Sequence, residues 1–192
     1  MGEVRNAGRP RDPRIEQSAL AAARELLAEG GYPAITMAAI AERAGTTKAA
    51  LYRRWTAVPH LVHEAVFPNE LSLDLHLGDD LSTDLLGVVR GTRDALCTPA
   101  AAAVLPGLFA AAATWPDLHA AMMTRFAGVF AALAERFDHA IAVGEAHPDA
   151  RSDDLLRLII GAAISGLLLT PTELDDDWVA RVAATMYRSV RP

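Results

Sequence analysis

The sequence has one cysteine, one lysine and few aromatic side chains among its 192 residues. Cys97 alone cannot close an intramolecular disulfide, and a zinc site built on several thiolates is excluded. There is no run of about 18 uninterrupted apolar residues, so no membrane partner is expected. The N-terminus is basic and polar with no apolar segment behind it, which argues against a signal peptide. Neither HExxH nor GxxxxGK[ST] occurs, and no nucleophile–base pair stands out, so an enzyme is not expected. His60 and His63 stand at i, i+3, but a metal needs more ligands than this pair supplies. The expectation is a soluble, cytoplasmic, non-enzymatic chain with no cofactor and no metal.

What is present is ample apolar material, with 52% hydrophobic and 22% charged residues, enough for a real core. The net charge of −6 is unevenly spread. Residues 1–67 carry nine Lys+Arg against seven Asp+Glu, a local +2, and the remainder carries nine against seventeen. The basic excess lies at Arg5, Arg9, Arg11 and Arg14, opposed only by Glu3 and Asp12. An acidic body with an arginine-tipped head is compatible with nucleic-acid binding at one end.

Apolar positions recur at helical spacing through most of the chain, and no strand pattern emerges. Residues 1–12 read as a basic arm. Pro13 can open a first helix, which Gly30 and Gly31 end. Thr36 and Thr47 are placed to cap two short helices, with Gly45 turning the chain between them. Thr56 caps a further helix to about Phe67. Beyond residues 69–79, a mixed stretch, helices are expected over 81–96, 100–113, 117–143, 155–169 and 178–190. The apolar helix 100–113 is expected to be buried. The fold class is all-α with about nine helices: a three-helix head over 13–56 on a helical body over 57–192.

The informative run is TMAAIAERAGTTKAALYRRW. Two short helices joined by a tight glycine turn can close a small core with Ile40, Ala44 and Leu51, leaving one face of the second helix free. Such a helix fits the DNA major groove, and Lys48, Tyr52, Arg53 and Arg54 offer phosphate or base contacts. Trp55 reads as core.

This run resembles the helix-turn-helix of the TetR (tetracycline-repressor-like) family at Thr36, Ile40, Ala41, Ala44, Gly45, Thr47, Lys48, Leu51, Tyr52 and Trp55. The resemblance implies a DNA-binding transcriptional regulator, with contacts from Thr47, Lys48, Tyr52 and Arg53, mostly at phosphates. Thr36, Thr46 and Ala49 join the candidate DNA-binding set, together with Arg9, Arg11 and Arg14 from the arm and first helix. Two departures stand out. Ala49-Ala50 replaces the Gly-Thr pair common in the family; these methyls can touch a thymine methyl but cannot hydrogen-bond a base. Val58 replaces a phosphate-gripping lysine.

The resemblance also implies a ligand cavity in the body, for which Phe109, Trp115, His119, Met122 and Phe126 are the candidates. Each of these equally suits an ordinary packed core. Leu155, Leu158, Ile159, Ala162, Ala163 and Leu167 form one apolar stripe, and Trp178, Val179, Val182, Ala183 and Met186 another. Two such helices from each subunit suit a four-helix homodimer interface. The expected function is a repressor released from a palindromic DNA operator by a small apolar effector. The alternative is a helical ligand-binding or scaffolding protein whose head binds no DNA.

Overall fold

The computed structural model describes residues 13–67, 78, 80–170 and 174–192. Among these, nine α-helices and one 3-10 turn make up the regular structure. The helices are α1 (Pro13–Gly30), α2 (Met37–Arg43), α3 (Lys48–Tyr52), α4 (Val58–Val66), α5 (Leu81–Leu96), α6 (Pro99–Ala112), α7 (Pro116–Ala142), α8 (Ser152–Leu169) and α9 (Asp176–Val190). The arm residues Arg9 and Arg11 lie outside the described residues.

Two compact units divide after Ala65. The first therefore includes most of α4, where sequence reasoning placed a boundary at 56/57. The chemistry of α4 explains the difference. The Arg24 guanidinium of α1 donates to the Ala65 carbonyl at 3.1 Å, and the Trp55 indole donates to Glu64 at 2.7 Å. Leu61 and Val62 are completely buried.

Capping sets where the helices begin. Thr36 accepts from the Ala39 amide, Thr47 from Ala50, Thr98 from Ala101 and Asp175 from Trp178, each through a side-chain oxygen. Gly45, with φ of 61°, supplies the left-handed residue that turns the chain between α2 and α3.

In the second unit α5 is the central element, packing against α6, α8 and α9. Leu81, Leu85, Val88 and Val89 of α5 meet Leu133 and Phe137 of α7, Leu156 and Ile159 of α8, and Val179 of α9 in one core. A buried ion triad crosses this core. Arg136 on α7 donates to Asp84 on α5 at 2.6 Å and to Glu145, just beyond α7, at 2.7 Å. The second Asp84 oxygen accepts from the Gly78 amide at 2.7 Å. Hydrogen bonding to both carboxylates raises the Arg136 pKa against the opposing effect of burial, so the guanidinium stays charged.

Two expectations about the body are corrected. The 100–113 helix is not wholly buried: Ala101, Val104, Leu105 and Leu108 face the core, while Ala103, Pro106, Phe109 and Ala110 face outward. Alanine carries too little apolar area to force burial of a second face. The apolar stripe of α8 also splits. Leu155, Ile159 and Ala163 turn into the chain's own core, whereas Leu158 and Leu168 remain more than half exposed. Gly166 is an inward close-approach residue, because a Cβ there would lie 2.5 Å from the Leu174 side chain. No single helix among the described residues is long and apolar enough to cross a membrane.

Candidate nucleic-acid interface

The first unit sorts its cations by partner. Arg43, at the end of α2, is clamped to α1. It makes paired bonds of 2.8 and 2.7 Å to Glu29 and one of 3.3 Å to Glu25. The Arg43 guanidinium holds the Glu29 carboxyl below its usual range. Arg54 donates to Glu16 at 2.7 Å and is only 11% exposed in its side chain. These two arginines therefore hold α1 to the helix-turn-helix.

Lys48 and Arg53 differ. Both are exposed, and neither is held in an ion pair among the described residues. The α3 periodicity explains their placement: Ala50 and Leu51 point inward, at 6% and 0% exposure, which leaves Lys48, Ala49, Tyr52 and Arg53 on the opposite side. Tyr52 is 57% exposed, so it belongs to this outer face and not to the core. Trp55 is buried, as its place in the run suggests. Ala50, offered by the sequence as a possible methyl contact, is unavailable because it packs into the head.

The threonines have distinct positions. Thr36 and Thr47 are exposed, and each uses its oxygen to cap its own helix. A hydroxyl that accepts in this way keeps its proton for donation to an outside oxygen such as a phosphate. Thr46 is half-buried and its amide donates to the Ala41 carbonyl at 2.9 Å, closing the turn. Arg14 is exposed at the start of α1.

Comparison with known proteins places this arrangement. Residues 19–65 match the model of the bacterial regulatory proteins of the tetR family, and residues 77–186 match the tetracyclin repressor-like C-terminal domain. The chain belongs to the TetR family. The uncharacterized HTH-type transcriptional regulator YdeS of Bacillus subtilis (strain 168) is 28% identical over 186 residues, covering 96% of this chain and 93% of that protein. The TetR family transcription regulator SCO0332 superposes with a TM-score of 0.64 at 28% identity, covering 93% of this chain and 100% of that one. A TetR transcription regulator from Haloarcula marismortui shares the fold, with a TM-score of 0.70 at 17% identity over 93% of this chain and 99% of that one. The chain is accordingly a TetR-family transcriptional regulator with an all-α fold.

The candidate ligand residues of this TetR-family body differ widely in exposure. Phe109 is 42% exposed and His119 faces outward. Trp115 and Phe126 are half-buried, and only Met122 is buried. An open cleft of about 470 Å³ lies elsewhere, lined by Arg93, Asp94, Cys97, Pro99, Leu167 and Leu174 among others. Arg93 donates to Asp94 at 2.8 Å and to Asp176 at 3.0 Å, with a longer bond to the Leu174 carbonyl. Burial pushes the Cys97 thiol above its usual range. Sequence reasoning missed this cleft because its lining comes from two stretches some 65 residues apart, 93–102 and 167–174, with no shared period. No group of three or more potential metal ligands occurs among the described residues.

Proposed function

We propose that this TetR-family regulator is a cytoplasmic homodimeric repressor that leaves a palindromic DNA operator when a small molecule binds its body. The observation that carries this reading is the outer face of α3. Among the described residues Lys48 and Arg53 have no ion-pair partner there beside Tyr52, while the neighbouring Arg43 and Arg54 are tied to carboxylates. Lys48 and Arg53 then grip phosphates, with Thr36 and Thr47 donating their hydroxyl protons and Arg9, Arg11 and Arg14 adding charge from the arm and α1. Two heads are needed for specificity, since a single short helix reads only a few base pairs.

The dimer surface we assign is the outward stripe of α8, formed by Leu158, Gly161, Ser165 and Leu168, together with α9. For the effector, we place the site in the open cleft at Arg93 and Cys97, whose volume of about 470 Å³ is ligand-sized. A TetR-fold relative from Saccharomonospora viridis, 18% identical with a TM-score of 0.66 and covering 94% of this chain and 100% of that one, was crystallised in complex with choline, so a small organic effector suits such a body. Release follows if the effector binds one arrangement of the two heads more tightly than the other.

Selection of bound duplexes from random DNA tests the reading. The expected product is a palindrome whose half-sites lie about one helical turn or more apart. Lys48→Ala should weaken binding to it and lower the slope of log affinity against log salt by about one. If no duplex shows salt-dependent affinity, the head is not a DNA reader and the scaffolding alternative takes its place.

A further inference from the structure

Bases are read in the groove by hydrogen bonds or by apolar contact, and the outer face of α3 carries both kinds of group. Its four side chains are Lys48, Ala49, Tyr52 and Arg53. Three are long and polar-tipped. Ala49 is the only short one, and it sits amid them, one residue after Lys48 and one turn before Tyr52 and Arg53. The backbone can approach a surface most closely where the intervening side chain is shortest, so Ala49 marks the line of deepest approach. The long flanking chains then reach outward to the groove walls, where the phosphates lie.

A methyl group pressed on the major-groove floor has one favourable partner. Thymine displays a C5-methyl, whereas the amino groups and ring acceptors of the other bases lose water against a methyl without replacement. We infer that Ala49 is a specificity-determining residue that selects thymine at one position of each operator half-site through methyl–methyl contact. The inference rests on the DNA-binding reading above. The structure narrows it to one residue, since the adjacent Ala50 is 6% exposed and packed into the head.

Deoxyuridine pairs as thymidine does but lacks the methyl, so it isolates the contact. Each thymine of one half-site is replaced in turn, and affinity is measured for the full-length dimer. One position should lose roughly fourfold, the worth of about one buried methyl. With Ala49→Gly, the helix-forming cost of glycine lowers affinity for every duplex alike, but the thymidine-to-deoxyuridine ratio at that position should fall to about one. Ala49→Ser, which adds a hydroxyl to the methyl, should reduce the ratio with a smaller helix cost than glycine. If no thymine is sensitive, or if the sensitivity persists in Ala49→Gly, the role of Ala49 is overturned while operator binding stands. Failure to select any operator overturns both readings together.

Discussion

Arg53 and Arg54 are adjacent and chemically identical, yet their surroundings give them opposite work. Arg53 faces solvent, and Arg54 is nearly enclosed with Glu16 at 2.7 Å. The two alanine variants should therefore separate. Arg53→Ala should leave thermal stability unchanged and reduce the salt slope of DNA binding by about one. Arg54→Ala should instead cost the head roughly 1 kcal/mol, discounted because Glu16 is half exposed, and this is read in chemical denaturation. The family resemblance singles out Arg53, but the work of Arg54 was not legible, because it depends on a carboxylate 38 residues away. Gly45 is legible by contrast, since a turn between two capped helices needs φ near the observed 61°. Gly45→Ala meets no steric obstacle around its Cβ, so its expected cost of about 1–2 kcal/mol comes from backbone conformation alone.

Helices were the most readable elements, because capping residues and apolar spacing act locally. The predicted 81–96 helix is found at those bounds, and α6 and α7 fall within one residue of expectation. Which face of a helix meets what was less readable. Periodicity marks α8 as apolar on a broad arc, but only tertiary contact divides Ile159, inside, from Leu158, outside. The buried triad was invisible for the same reason, since Asp84, Arg136 and Glu145 belong to separate segments. Asp84→Ala leaves a buried guanidinium without its shortest partner and should destabilise the body by about 3–5 kcal/mol, measured by denaturant unfolding. At the start of α5, Asp80 accepts from the Thr83 hydroxyl and from the Ser82 and Thr83 amides. The hydroxyl bond, seconded by the amides, holds its carboxyl below the usual 3.8. Asp80 thus stabilises the fold fully above the ordinary aspartate range, and that contribution disappears as pH falls through the lowered value. Asp80→Ala should cost about 1 kcal/mol at neutral pH and progressively less below pH ~4.

For the molecule as a whole, the proposed effector and operator compete through a shared equilibrium, and linkage makes the competition reciprocal. Cys97 offers a direct measure, being the chain's single thiol and part of the cleft lining. An effector seated there should slow the reaction of Cys97 with a thiol reagent, and operator DNA should restore the rate by weakening effector binding. A rate unaffected by an effector that demonstrably releases DNA would place the effector site elsewhere. The sequence disclosed the division of labour at this scale, with a basic arm and head on an acidic body, because charge composition needs no structure to be read. It could not disclose where the body opens, since a cleft is a property of how distant segments fail to meet.

Lys48 matters beyond its proposed grip on phosphate. It is the chain's only lysine, and it is exposed on α3. Every side-chain amine reaction, from laboratory acylation to cellular acetylation, must therefore converge on the surface proposed to meet DNA. Neutralising that amine erases one charge at the groove while leaving all other side-chain cations intact. In most proteins such chemistry scatters over many sites and blurs; here it behaves as a single addressable position, a stoichiometric dial on operator affinity.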